Sequence, residues 1–338
     1  MRLHYNPNKD LPITPETFWH QVIIPIYIPK LEGYYSESFE VLKICLESLF
    51  KTSHERTYFT CINNGSGDFV KDYLDQLLSE GKIHEVIHTT NIGKINSILK
   101  GINGHDFQII TVTDSDVIFL SGWQHECYSM FLAFPKLAAL STTPNPKLYK
   151  FHTWNIIKEF VFSKNLRFTP VEEGAGFKEF AASIGNPDLF SESHLKHNLT
   201  LTLGGKSGVL GAGHFVVTYR KEIFEDFPLK YTSFKMGGDT EGKLDELASK
   251  KGCWRLATTK SYTRHMGNQL EPWMKETLEK MNAENGYLIP VQFPPLHQSS
   301  KISVFIANSF VAKILRRSFF LRKFLIYKGL PKKFSSNY

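Results

Sequence analysis

The sequence predicts an α/β fold, a mostly parallel sheet flanked by helices with a ligand site at the carboxyl ends of its strands. Three observations carry that expectation. Short apolar, β-branched runs stop at loops; stretches with apolar residues at helical spacing separate them; and an acidic pair, Asp114 and Asp116, follows directly on one of the runs. Strands that alternate with helices build parallel βαβ units, because parallel neighbours need a long return connection. With 338 residues, 42% of them hydrophobic, the chain can bury a large core, so it is expected as one catalytic unit with appendages and not as a disordered protein.

Gln21-Val22-Ile23-Ile24-Pro25-Ile26-Tyr27 reads as the buried first strand. From Ser38 to Phe50 the residues Phe39, Val41, Leu42, Cys45, Leu46 and Leu49 recur at helical spacing. Thr57 to Ile62 is a second strand, ended by the turn residues Asn63-Asn64-Gly65-Ser66-Gly67. A helix from about Asp68 to Ser79, a third strand from Ile83 to Thr89, a helix through Leu99 and a strand from Phe107 to Thr113 continue the alternation. That last strand delivers Asp114 and Asp116 to the rim where doubly wound sheets bind ligands. The region from Pro144 to Leu203 is different, rich in aromatic, charged, Gly and Pro residues without clear alternation, and is expected as an insertion.

Composition excludes other classes. Cys45, Cys61, Cys127 and Cys253 are far apart and form no CxxC pair, which suits reduced thiols rather than a zinc site or disulfide framework. Met1 to Phe18 has no apolar core stretch, so neither signal peptide nor anchor is expected and the chain is read as cytoplasmic. The formal charge of +7 belongs to a tail: residues 301–338 hold nine Lys or Arg and no acid, and removing those nine leaves −2 for the rest. A nucleic-acid partner is therefore not expected.

Two carboxylates one residue apart after a strand suit a hard divalent cation, Mn²⁺ or Mg²⁺, which keeps positions open for phosphate oxygens and water. A plain strand-end turn is the competing reading, since Asp and Ser both favour turns. The series Val22 to Tyr27, Asn63-Asn64-Gly65-Ser66, Asn91-Ile92-Gly93-Lys94 and Thr113-Asp114-Ser115-Asp116 resembles the nucleotide-binding half of GT-A glycosyltransferases, especially the inverting group called family 2. The resemblance extends over roughly residues 21 to 268. It implies a Rossmann-like GT-A domain over 21–300, with a nucleotide-binding half at 21–120 and an acceptor half at 121–268 that contains the insertion 144–203. Residues 1–20 are left as an N-terminal extension and 301–338 as the tail.

The same resemblance implies the site. A nucleotide-sugar donor would lie against Pro25, Ile26, Tyr27, Asn63, Gly93, Lys94, Asp114, Ser115 and Gly213, the last within the glycine-rich Gly211-Ala212-Gly213-His214. Asp114, Asp116 and His265, in Arg264-His265-Met266-Gly267, would hold the metal. Asp239 would be the general base that deprotonates the acceptor hydroxyl, with Glu241 as its rival. Either acid reads equally as a helix-start residue favoured by the macrodipole. The sequence departs from the family pattern where Asn63 and Asn64 replace acids and Gly238 replaces Glu. The implied reaction transfers a sugar to a glycan or lipid-linked acceptor. Two rivals are weighed: a haloacid-dehalogenase-like phosphatase with Asp114 as nucleophile, and a catalytically lapsed glycan- or nucleotide-binding module. The phosphatase fits poorly because several βα units precede the motif and Gly238-Asp239 is followed by Lys243.

The tail is expected as an imperfect amphipathic helix between Val311 and Leu325. Val311, Ile314, Leu315, Leu321 and Leu325 share a face, with Lys313, Arg316, Arg317 and Lys323 largely opposite. Its apolar runs are too short to span a bilayer. It reads either as an attachment to an anionic membrane surface at the cytoplasmic face or as a helix packed on the catalytic domain.

Overall fold

The computed structural model describes residue 4 and residues 18–225, 231–235, 240–282 and 292–338. The first half follows the expected alternation: β1 (His20–Ile26), α1 (Ser38–Thr52), β2 (Thr57–Asn64), α2 (Asp68–Ser79), β3 (Glu85–Thr89), α3 (Lys94–Ile102) and β4 (Ile109–Thr113). Trp19 already pairs through its backbone with Arg56 and Ile109 and stacks on His54.

Beyond β4 come β5 (Val117–Phe119), α4 (Trp123–Ala133), β6 (Leu137–Ser141), α5 (Trp154–Phe160), β7 (Leu166–Pro170), α6 (Gly174–Ser183), α7 (Glu192–Lys196) and β8 (His197–Leu203). They are followed by β9 (Lys206–Leu210), β10 (Val216–Arg220), α8 (Thr240–Lys250), β11 (Trp254–Ala257), β12 (Thr263–His265) and α9 (Pro272–Lys280). Among the described residues ten strands form one sheet in the order β3-β2-β1-β4-β10-β6-β11-β9-β8-β7. The pairings make seven of the ten run in one direction, with β10, β9 and β7 opposed.

Both faces of the sheet are covered, for a reason visible in β1. Side chains alternate along a strand, so Val22, Ile24 and Ile26 join α1, α2 and α4 on one side, while Ile23 joins α3 and α8 on the other. The result is a three-layer α/β/α body.

The stretch read as an insertion contributes two strands to this sheet. Its strands β7 and β8 extend the sheet edge, because Leu166, Leu199 and Leu201 bury themselves in the same core as β1. The tail also differs from the single helix expected. Residues Lys301–Phe305, Ile306–Val311 with π-helical turns, and Ala312–Leu315 run as one helix, and Arg317, extended at φ −77° and ψ 124°, separates it from a second helix, Ser318–Tyr327. We name these α10 (Lys301–Leu315) and α11 (Ser318–Tyr327). No described helix is long and apolar enough to cross a membrane.

Candidate active site

The acidic pair sits where two sheets meet. β4 ends at Thr113, the Asp114 amide bonds Phe215 O at 2.8 Å, and β5 begins at Val117, so Asp114-Ser115-Asp116 is the whole link between them. β5 leaves the main sheet to pair antiparallel with β12, which sets His265 opposite Val117. The Met266 amide bonds Asp116 O at 2.7 Å and locks that register. This two-strand ribbon brings His265 Nε2 to 3.5 Å from Asp116 Oδ2. On its other side the imidazole is held by Ser183 at the end of α6, whose hydroxyl lies 3.0 Å from Nδ1, and it meets the Phe180 and Phe215 rings edge to face.

The two acids are treated differently. Asp114 Oδ1 lies 2.6 Å from Lys94 Nζ, the first residue of α3. Asp116 keeps an oxygen in reserve: its Oδ1 is buried with no hydrogen-bond partner. Burial pushes the Asp116 carboxyl up from its ordinary value and Asp114 adds to this, against the pull of His265 and Lys94.

In front of the acids opens a cavity of about 380 Å³. Pro25, Ile26, Tyr27, Lys94, Asp114, Ser115 and Asp116 all line it. Its far wall is made by Tyr34 and Tyr35 in the loop after β1, by Asn64 and Asn91, and by Lys235, Gly267 and Asn268. Asn268 Nδ2 donates to Tyr34 O at 2.7 Å and joins the loop after β12 to the loop after β1. Asn64, Asn91 and Gly267 fall within motifs quoted from the sequence but were not named as contacts, and Tyr34, Tyr35, Lys235 and Asn268 were missed. A signal for the tyrosines was present, since a loop at the carboxyl end of a parallel strand lies at the site by construction.

Three expected donor contacts are placed elsewhere. Asn63 is 4% exposed, its Oδ1 accepting from the Ser66 amide and its Nδ2 3.1 Å from His88 Nδ1, so its side chain serves the turn after β2. Its neighbour Asn64 reaches the cavity instead and accepts from the Ile92 amide at 2.9 Å. Gly93 caps α3 at φ +90°, where a Cβ would stand 2.7 Å from Phe234 O; the loop crossing demands the glycine. Gly213 does not line the cavity either. Within its loop the demanding position is Gly211, at φ +92° and with Leu148 O only 2.4 Å from any added Cβ.

Asp239 lies outside the described residues. Glu241 falls in the first turn of α8, but its side chain also lies outside them. Further along α8, Asp245 forms a buried pair with Arg255 at 2.7 Å. Arg255 also donates to Ala212 O at 2.9 Å, so one guanidinium ties the helix to the glycine loop.

Among the described residues no three His, Cys, Asp or Glu side chains are grouped as a ready metal site, and Asp114 is paired with Lys94. The donor set nonetheless fits a hard divalent ion: Asp116, which lines the cavity, has one buried carboxylate oxygen without a partner and the other 3.5 Å from the His265 imidazole, which stands behind the cavity wall.

A model of glycosyl transferase family 2 matches residues 22–190, half of the chain, from β1 through the strands and helices that carry Lys94, Asp114 and Asp116. The chain belongs to glycosyl transferase family 2. The match supports the GT-A reading of the fold over the phosphatase, and it ends before the glycine loop, Asp239 and His265. No curated protein matches the sequence. Among solved structures, a mannosyltransferase from Pyrobaculum calidifontis in complex with GDP-Man and Mn²⁺ is 13% identical with a TM-score of 0.40, over 75% of this chain and 59% of its own. S. aureus TarS is 12% identical with a TM-score of 0.43, over 90% of this chain and 43% of its own. Residues 1–349 of TarS in complex with UDP-GlcNAc are 12% identical with a TM-score of 0.42, over 91% and 72%. This family 2 chain thus spans about three fifths of the first protein and under half of full TarS.

Proposed function

We propose that this chain is a glycosyltransferase that moves a sugar from a nucleoside-diphosphate sugar to an acceptor hydroxyl, with inversion and with Mn²⁺ or Mg²⁺. The observation that carries the reading is the cavity at the strand ends, where an apolar and aromatic wall shares the lining with a lysine and the acids Asp114 and Asp116. A nucleoside packs on apolar and aromatic surface, whereas a diphosphate needs cations. The cavity offers both, a few residues apart.

The roles follow from position. Tyr27, Tyr34 and Tyr35 wall the nucleoside end, with Asn64 and Asn91 as polar contacts. Lys94 stands at the diphosphate end. Asp116 and His265 would hold the cation, and Ser183 orients the imidazole through Nδ1. When bound, the cation would neutralise charge on the departing diphosphate. Asp239 takes the proton from the acceptor, and the Arg255–Asp245 pair steadies the helix that follows it. The acceptor in this reading is a surface-polysaccharide or lipid-linked glycan precursor, met at the cytoplasmic face of a membrane.

Hydrolysis and transfer across a panel of UDP-, GDP-, CMP- and dTDP-sugars, each with Mn²⁺, Mg²⁺ or EDTA, test the proposal. One donor should turn over with metal and stop with chelator. Turnover that survives EDTA would remove the metal role, and binding of a nucleotide sugar without turnover on any acceptor would favour the lapsed module.

A further inference from the structure

The tail has two apolar sides, and the body of the protein covers one of them. Ala307, Ala312, Leu315, Phe324 and Leu325 are buried. Polar ties fix this side to the body: Lys158 Nζ donates to Ser303 Oγ at 2.7 Å, and Lys328 Nζ donates to Phe160 O and Ser163 O at 2.8 and 2.9 Å. Packing on the domain, one of the two readings of the tail, is therefore realised.

The other side of the same two helices stays open. Ile302 is 73% and Phe305 61% exposed, and Phe310, Ile314, Phe319 and Phe320 are exposed with them. Along α10 the wider i→i+5 turns of Ile306–Val311 advance each residue by a smaller angle than an α turn, which holds Phe310 in line with Ile302. Beside the C-terminal end of α11, Phe162 is 87% exposed on the very loop whose carbonyls Lys328 grips. A row of this kind exceeds the scattered apolar exposure normal for a protein surface.

Charge says what covers it. Nine Lys or Arg and no Asp or Glu occur in residues 301–338, with Lys301, Lys313, Arg316, Arg317, Arg322 and Lys323 all exposed along the row. A second copy docked face to face would bring like charge against like. We propose that this face lies on an anionic phospholipid surface, with the aromatic and aliphatic side chains in the headgroup boundary and the basic ones against lipid phosphates. A helix that is apolar on one side, basic at its flanks and too short to cross is the form that lies in an interface. This deepens the membrane location of the reading above. Lipid binding is measured without donor or acceptor, so its failure leaves sugar transfer standing.

The test is co-sedimentation of the full chain with phosphatidylcholine vesicles, with and without phosphatidylserine. The protein should pellet with the anionic vesicles and be released by salt. Phe305→Asp with Phe310→Asp should weaken binding by more than about tenfold. Arg316→Gln and Arg317→Gln should each weaken it about fivefold at low salt. Because all four side chains are exposed, thermal melting should confirm that the variants fold as the parent does. Parent protein left in the supernatant, equal binding to neutral vesicles, or undiminished binding by the Phe pair variant would each overturn the proposal. So would a lipid-free dimer that Phe310→Asp converts to monomer.

Discussion

Replacing Asp116 by asparagine separates a functional carboxylate from a structural one. The side chain keeps its shape and loses its charge, in a place where one carboxylate oxygen has no partner and the other faces His265 at 3.5 Å. If the acid served the fold through that imidazole, breaking a largely buried pair would cost roughly 3–5 kcal/mol, a fall of several degrees in Tm. The geometry argues otherwise: the pair is long, and Ser183 holds the ring independently at 3.0 Å. Tm should therefore stay level or rise, since a desolvated charge with an unsatisfied oxygen has been removed. Nucleoside-diphosphate binding should behave differently. Loss of an outer-shell partner of a metal typically costs 10- to 100-fold in affinity, so a direct ligand should cost at least about 100-fold. Calorimetric titration of UDP and GDP, each with Mn²⁺ and with EDTA, measures it beside a melting curve. A variant that binds as tightly as the parent in Mn²⁺, or that melts several degrees lower, refutes the reasoning.

Asp239→Asn should lower turnover by about 10²- to 10⁴-fold with donor affinity kept, as loss of a base acting on the acceptor alone would; inactivity of Glu241→Gln with Asp239→Asn near normal would move the role. Arg255→Met strands a buried Asp245 carboxylate and frees the Ala212 carbonyl, so unfolding free energy should fall by about 3–5 kcal/mol. A second change, Asp245→Leu, should restore much of it, and no recovery would show that the pair is not the cause. Gly211→Ala should cost upwards of about 1 kcal/mol in denaturant unfolding, because φ +92° and the Leu148 carbonyl both oppose a Cβ; an unchanged midpoint would contradict the loop geometry. His54 is held down at about 4, chiefly by burial with Arg56 adding, so the unfolded chain takes up a proton near pH 6.5 that the fold refuses. Stability should then be full above pH 6.5 and decline towards pH 4, with a shallower slope in His54→Gln. Equal slopes would assign the acid sensitivity elsewhere.

The alternation from β1 to β4 was legible because hydrophobic period is a local property. Val22 to Ile26, the helical spacing from Phe39 to Leu49 and the run into Asp114 each carry their signal within a few residues. A parallel sheet then gathers its ligand site at the strand ends, so Tyr27, Lys94, Asp114 and Asp116 could be named as neighbours before any coordinate was known, and all four line the cavity. Side-chain direction at a turn is less legible. Asn63 and Asn64 are the same residue type side by side, yet the first bonds His88 and Ser66 while the second faces the cavity, which depends on where β3 and the Ile92 loop come to rest.

Contacts between distant segments were decided by the tertiary structure alone. His265 reaches Asp116 because β12 pairs with β5, two three-residue strands too short to announce themselves in sequence. Asn268 closes the cavity on Tyr34 across more than two hundred residues. Tail composition showed a basic, apolar segment, but its break at Arg316–Arg317 and the choice of Leu315, Phe324 and Leu325 for the buried side came from docking onto the body. Local pattern determines which residues can be buried; which of them are, and what they meet, depends on surfaces that exist only once the chain has closed on itself.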